Sequence, residues 1–406
     1  MSEGSLASLK EVTRAAVFKN GELAAHLTRG EAGTIVFAYT DGWVSGGGPA
    51  VATTLPVRPE PVVTVGGAVP AFFAGLLPEG RRLTALRQGV KTSADDELSQ
   101  LLAIGGDTIG DVRVVPDGRV PVPVEPRLAV TTFAAVRFAD LLATMGVHVD
   151  RVGLPGVQDK VSAAMLNLPV TAAGAHTLLK LDPPEFPHLV ANEHFFLGAA
   201  RRAGIRVVDA ALVHDGAGVP ALAVSRFDRL TVDAAPAALP VEDGCQVLGL
   251  HPAEKYRVST EELFQRLSQV CEAPLPAAAE YLAQIAFAYL TGNGDAHAKN
   301  FSVLRDRDGR WQPTPAYDLP STFFYDDHTM ALPVDGLRQA NIPRARFLAL
   351  AAGLGLPERA AGRILDRIAR SADSWLDDID VLPFDPGRLT KFKRVVAHRQ
   401  RMLRSG

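Results

Sequence analysis

An apolar helix that runs straight into a decapeptide of turn-forming and charged residues sets the tightest limit on how this chain can fold. Residues 276–290 carry alanine and aromatic side chains nearly all round, the pattern of a helix buried on every side. That helix delivers the chain into Thr291-Gly292-Asn293-Gly294-Asp295-Ala296-His297-Ala298-Lys299-Asn300, with Ala316-Tyr317-Asp318 some way on. An Asp five positions before an Asn, with a second Asp beyond, is the spacing at which phosphoryl-transfer sites place an acceptor-orienting carboxylate and two ligands for divalent cations. Gly, Asn and Asp also gather in plain surface turns, so this stretch by itself leaves both readings open. Residues 301–304 and the stretch from 310 read as the arms of a hairpin across the turn-forming run 305–309. Such a hairpin returns Asp318 towards Asp295 and Asn300.

At 406 residues the chain has room for two or three structural units, and 47% hydrophobic with 21% charged residues suits a globular protein with a sizeable core. A formal net charge of −3 offers no overall attraction to nucleic acid or to an anionic membrane. No apolar run is long enough to span a bilayer, and Met1-Ser2-Glu3-Gly4 does not begin a secretory signal, so a cytoplasmic protein with no membrane partner is expected. Cys245 and Cys271 sit in no zinc-binding pattern and suit buried thiols in a reducing compartment.

Residues 1–126 read as a mixed unit: a hairpin across Asn20-Gly21, a strand at 34–39, and helices near 72–77, 81–88 and 95–103. Gly105-Gly106-Asp107-Thr108-Ile109-Gly110 follows a helix rather than a strand and lacks a Lys-Ser/Thr ending, which argues against a phosphate loop. The proline-rich run 121–126 marks a boundary. A helix is expected over 133–145. Gly153-Leu154-Pro155-Gly156-Val157-Gln158-Asp159-Lys160 then leads into a strand at 161–166. This turn is either a plain β-turn or a place where backbone N–H groups approach phosphates.

Residues 176–181 have the composition of a short buried strand carrying one cation, Lys180. On an edge strand that lysine would be a solvated gatekeeper; in a kinase-type pocket it holds phosphates and pairs with a helical glutamate. A helix over 188–203 places Leu189, Glu193, Phe196 and Ala200 on one face. A carboxylate within that apolar stripe wants a buried partner, either Lys180 or a local arginine. Strands at 207–213 and 220–224 pair across Asp215-Gly216 and lead into Ser225-Arg226-Phe227-Asp228-Arg229. Glu242-Asp243-Gly244-Cys245-Gln246 is a polar insert of open role. The basic helix that ends the chain reads as a solvated face.

Taken in order, these motifs resemble the HipA family of bacterial serine/threonine kinases, the toxin halves of toxin–antitoxin pairs. The resemblance spans nearly the whole chain and rests most heavily on Ala221-Leu222-Ala223-Val224-Ser225-Arg226-Phe227-Asp228-Arg229 and on residues 295–302. It implies an α+β, two-lobed protein-kinase-like fold: an amino-terminal subdomain over 1–126, a kinase N-lobe over 127–230 and a helical C-lobe over 231–406. It implies ATP and Mg²⁺ as cofactors and a protein acceptor, with an aminoacyl-tRNA synthetase as the type of target. A small helix-turn-helix antitoxin of HipB type would be the partner through which alone DNA is reached.

Carried over by position, Lys180 would bind ATP phosphates beneath a loop bearing Gly153, Gly156, Gln158 and Lys160. The backbone at Ser225 and Phe227 would hold adenine, Asp228 would lie near the ribose, and Gln246 and Tyr317 would line the pocket. Asp295 would be the catalytic carboxylate, with Asn300 and Asp318 on magnesium. His297 would offer a phosphate-facing donor, or else cap a helix or pack in the core. Where the best-known toxins carry an autophosphorylated serine this chain has Gly153, so self-inactivation at that position is excluded. Ser162 and Thr144 are the nearby hydroxyls. Two other functions fit parts of the pattern: a small-molecule phosphotransferase, which shares the Asp-x-x-x-x-Asn spacing, and a nucleotide-binding pseudokinase acting as co-repressor. The filled catalytic positions disfavour the latter.

Overall fold

A computed structural model describes residues 6–121, 129–144, 166–172, 175–232 and 235–404. Contacts group the chain into two units. The first joins Met1–Arg127 to Asp228–Lys255 and Leu304–Gly309, and the second joins Leu128–Phe227, Tyr256–Val303 and Arg310–Gly406.

The first unit is built on an antiparallel sheet of β1 (Arg14–Lys19), β2 (Glu22–Arg29), β3 (Ile35–Tyr39), β4 (Val62–Thr64) and β5 (Val112–Pro116) in the order β4-β3-β2-β1-β5. β1 and β2 turn at Asn20-Gly21, as the sequence predicts, and a register shift falls between Val17 and Phe18. Ala15, Val17, Ala24, Ala25, Leu27 and Phe37 enter a core shared with Phe73, whose ring lies 5.6 Å from Phe37. β3 buries alternate residues, the period-two pattern that fixes strand register, whereas β1 is buried on both faces from Ala15 to Lys19.

The second unit carries a sheet of β6 (Ala129–Val130), β7 (Leu166–Ala172), β8 (Ala175–Leu181), β9 (Ala210–His214) and β10 (Pro220–Ser225) in the order β6-β7-β8-β10-β9. β8 is central: Lys180 stands opposite Asn167 on β7 and Leu222 on β10. Leu179 and Leu181 pack into a cluster with Phe138, Leu168 and Val170, so alternation turns Lys180 to the other face. An edge-strand gatekeeper is thereby ruled out. Helix Leu189–Arg202 covers this sheet.

The remainder of the second unit is mainly helical. Helix Pro274–Thr291 packs against helices Thr260–Val270, Arg344–Gly353, Glu358–Ser371 and Pro386–Arg404. Its Tyr281, Leu282, Ile285, Ala286, Phe287, Tyr289 and Leu290 are all buried, which explains the absence of a polar face in its sequence. The helix expected over 133–145 is instead a short 3-10 turn, Phe133–Ala135, and a helix, Phe138–Thr144. The break has a cause: Gly216 N–H donates to Val136 O (2.9 Å) and Asp215 accepts from Phe138 N–H (3.0 Å), tying this segment to the β9–β10 turn. Cys245 and Cys271 are buried free thiols. Among the described residues no helix is long and apolar enough to cross a membrane.

Candidate active site

Helix Pro274–Thr291 ends where the chain turns through Gly292, a left-handed residue at φ +70°, and Asn293 N–H returns to Ala288 O at 2.9 Å. Gly294 is required by crowding rather than by its backbone angles. A Cβ there would lie 2.6 Å from Thr329 O and 2.8 Å from Thr322 Oγ1. Its N–H donates to that same Thr322 hydroxyl at 2.8 Å, and Thr322 N–H donates to Gly292 O at 2.9 Å. The loop that follows is therefore clamped before it reaches Asp295.

Asp295 is 3% exposed, and its N–H is held by Asn293 Oδ1 at 3.1 Å. His297 N–H donates to Asn300 Oδ1 at 2.9 Å, shaping the turn between them. Asn300 Nδ2 donates to Asp318 Oδ2 at 2.7 Å, so two of the spaced polar residues meet. The hairpin Ser302–Arg305 and Trp311–Pro313 performs the expected return, with Thr314 N–H on Ser302 O at 3.0 Å. Asp318 adopts φ +57°, a sparsely populated conformation for a residue with a Cβ and one concentrated at functional sites.

Lys180 is the second anchor. Its Nζ lies 2.7 and 2.9 Å from the two oxygens of Glu193 and 3.2 Å from Asp318 Oδ1. An unbroken polar chain thus runs Glu193–Lys180–Asp318–Asn300, drawn from a strand, a helix and two loops. Burial alone would lower the Lys180 pKa, but the carboxylates of Asp318 and Glu193 outweigh it and hold the ammonium above the usual lysine range. Helix Leu189–Arg202 is tied to the same centre a second time. Asn192 Nδ2 donates to Ser321 O at 2.8 Å, and Ser321 N–H donates to Asn192 Oδ1 at 2.9 Å. Both residues are fully buried.

Two carboxylates facing one ammonium leave a surplus of negative charge. Asp318 and Asn300 offer a carboxylate and an amide oxygen, the hard donors Mg²⁺ takes when water and substrate phosphates complete its octahedron. These donor types suit that ion; here Asn300 turns its Oδ1 to the His297 N–H and its Nδ2 to Asp318, so the amide would turn to share an ion with that carboxylate. Among the described residues no group of three or more His, Cys, Asp or Glu forms a metal cage.

Tyr317 and Phe227 meet with ring centroids 5.9 Å apart, and the Tyr317 hydroxyl bonds Ser302 Oγ (2.6 Å) and Lys299 O (2.7 Å). Ser225 N–H is taken by Asp209 O at 2.8 Å. Two other expected pocket residues belong to the first unit. Asp228 is buried and accepts from Gly110 N–H (2.9 Å) and Arg229 (2.6 Å). Gln246 closes a capping box with Asp243 and donates to Phe72 O at 2.8 Å. Gly153, Gly156, Gln158 and Lys160 lie outside the described residues, as does Ser162.

Three residues at this site carried no sequence signal. Asn192 is the clamp just described. Tyr256 donates its hydroxyl to Asp295 Oδ1 at 2.7 Å, with its ring centroid 5.1 Å from that of His297. Arg399, 3% exposed on helix Pro386–Arg404, donates to Tyr289 O at 2.7 Å and to His328 O at 3.1 Å. Its partners are carbonyls at the negative end of helix Pro274–Thr291 and in the loop beyond Asp318, so this cation braces both sides of the Asp295 loop. A local pattern could have revealed none of the three, because each partner lies far along the chain.

A family model described as the HipA-like C-terminal domain matches residues 152–376, and one described as the HipA N-terminal domain matches residues 15–115. A putative kinase of Sinorhizobium fredii, Y4mE, is 29% identical over 414 residues, covering 96% of this chain and 98% of that protein. The serine/threonine-protein kinase toxin HipA of Shewanella oneidensis is 31% identical over 376 residues, covering 86% of this chain and 84% of that one. A solved structure of Shewanella oneidensis HipA with HipB and operator DNA superposes with a TM-score of 0.78 at 24% identity, over 95% of this chain and 96% of that one. That likeness shows the fold.

Proposed function

This chain belongs to the HipA family of kinases, and from that premise we propose that it is an ATP-dependent serine/threonine protein kinase of the cytoplasm whose acceptor is a protein of translation, such as an aminoacyl-tRNA synthetase. Phosphorylation of that target would arrest growth. A small helix-turn-helix protein of HipB type is the proposed partner, and DNA would be reached through it, in keeping with the assembly named for the Shewanella relative.

The observation that carries the reading is the buried chain Glu193–Lys180–Asp318–Asn300 beside a loop that presents Asp295. Phosphoryl transfer needs little covalent chemistry from the protein; it needs alignment and charge compensation. Lys180, held protonated and oriented by Glu193, would grip phosphate oxygens. Asp295 would receive the proton of the acceptor hydroxyl. Asn300 and Asp318 would hold Mg²⁺, which when bound neutralises charge on the phosphates. Phe227 and Tyr317 supply aromatic surface for the nucleotide, and His297 a donor near the transferred group.

Asp295→Ala is expected to lower labelled-phosphate transfer to protein by at least about a hundredfold while leaving the circular dichroism spectrum unchanged. Undiminished transfer in that variant overturns the assignment. Comparing phosphoproteomes of cells expressing wild type and Asp295→Ala tests the acceptor class, since a target outside translation would refute that part.

A further inference from the structure

We infer that Tyr256 is a positioning residue for the Asp295 carboxylate and that Arg338 holds it there, an inference that rests on the phosphotransfer reading above. Tyr256 lies on a turn before helix Thr260–Val270, so no helical or strand ladder fixes its backbone. Arg338 does so instead. Its guanidinium donates to Tyr256 O at 2.7 Å and to Ala331 O, and Met330 N–H donates to Arg338 O at 2.9 Å. The seam continues past Tyr256: Thr260 Oγ1 donates to Pro333 O at 2.7 Å, and Asp335 N–H donates to Glu261 Oε1 at 2.7 Å. Residues 256–261 are thereby stitched to residues 330–338 on one side, while the phenol reaches the catalytic loop on the other.

At that far end the hydroxyl donates to Asp295 Oδ1 at 2.7 Å and the ring stands edge-on to His297, the planes 72° apart. A carboxylate that receives a proton must offer an oxygen within about 2.6–3.2 Å of the reacting hydroxyl. The terminal torsion of an aspartate is broad, so the backbone alone does not set the plane of its carboxylate. A donor fixed on Oδ1 does set it, and a hydrogen bond to an ionised oxygen is among the stronger kinds. Tyrosine suits this task because its ring is rigid and its hydroxyl is a donor. The segment beyond Asp318 consequently reaches the catalytic carboxylate through Arg338 and Tyr256.

The test uses the full chain with labelled ATP, Mg²⁺ and a heat-treated bacterial lysate as the pool of acceptors. Tyr256→Phe keeps the ring and removes the donor. It is expected to lower the maximal rate about tenfold, with KM for ATP and the melting temperature unchanged. Arg338→Met is expected to lower the same rate about threefold, again without a change in KM, and Arg338→Lys to restore part of it. A merely structural role would shift melting temperature and leave the rate per folded molecule alone. With Asp295→Ala inactive, a wild-type rate in Tyr256→Phe overturns this inference and spares the phosphotransfer reading. An increased rate, which would make the phenol a block, or labelled phosphate on Tyr256 itself, which would make it an acceptor, also overturns it. An active Asp295→Ala instead removes the premise.

Discussion

Two buried lysines, one in each unit, face the same electrostatic problem and meet it differently. Lys19 closes β1 against Asp111 at 2.8 Å, with Glu242 buried within electrostatic reach. Lys180 closes against Glu193 and Asp318. Each cation therefore answers to two carboxylates, and each cluster holds one negative charge too many. In the first unit burial pushes Glu242 up to about 7, towards its neutral form, against the Thr53 hydrogen bonds and the Lys19 charge that favour its ionised form. In the second unit burial raises Glu193 in the same sense, against the Lys180 charge, while Asp318 keeps 16% of its side chain exposed and shares its other oxygen with Asn300. Asp318 thus keeps a contact with solvent that Glu242, 2% exposed, lacks. The lesson is that a buried Lys–carboxylate pair says little about function until one asks where the unbalanced charge points.

Three changes would break or sharpen this contrast. The largest effect belongs to Lys180→Met, which should reduce phosphate transfer by a factor on the order of 10²–10³ and destabilise the fold by about 3–5 kcal/mol by stranding Glu193. Turnover and denaturant midpoints, measured together, check both numbers. Lys19→Met should lose a similar 3–5 kcal/mol, as Asp111 is stranded, yet leave turnover per folded molecule near wild type. A catalytic collapse there with stability intact would erase the distinction between the clusters.

The smallest effect is one of pH. The raised pKa of Glu242 means that the native state binds its proton more tightly than the unfolded chain does. Its contribution is fully present below the ordinary glutamate value of 4.5 and is lost as pH rises through about 7. Wild type should lose at most roughly 3 kcal/mol across that window, and Glu242→Gln should flatten that part of the stability profile. Unfolding titrations at a series of pH values decide it, and an unchanged slope in Glu242→Gln counts against the proton as the balancing charge.

Much of the site could be read from sequence because its members break local patterns. Lys180 interrupts an apolar strand and Glu193 an apolar helix face, and each such interruption demands a partner. Their 2.7 Å contact meets that demand. Asp295, Asn300 and Asp318 stand out by their spacing, which a hairpin with its own turn chemistry converts into contact for Asn300 and Asp318. Asn192, Tyr256 and Arg399 break no pattern. A polar residue on a helix, a tyrosine in a turn and one arginine on a basic helix are each ordinary, and their meaning lies in partners 129, 39 and 110 positions away. The broken helix at 133–145 was hidden for the same reason, since the interruption is imposed by Asp215 and Gly216 from another hairpin. Arg399 likewise shows why a basic terminal helix is a poor guide: at least one of its charges is turned inward as a brace.

That brace also sets a timetable. The ribosome makes the chain from the amino end at about 5–20 residues per second. Arg399 therefore follows Asp295, about 100 positions earlier, by roughly 5 to 20 s. From the synthesis of Asp318 until Arg399 follows, a nascent chain carries the polar motif without the guanidinium that braces the end of helix Pro274–Thr291. The Asp295 loop is therefore braced only after every residue of the motif it presents has been synthesised.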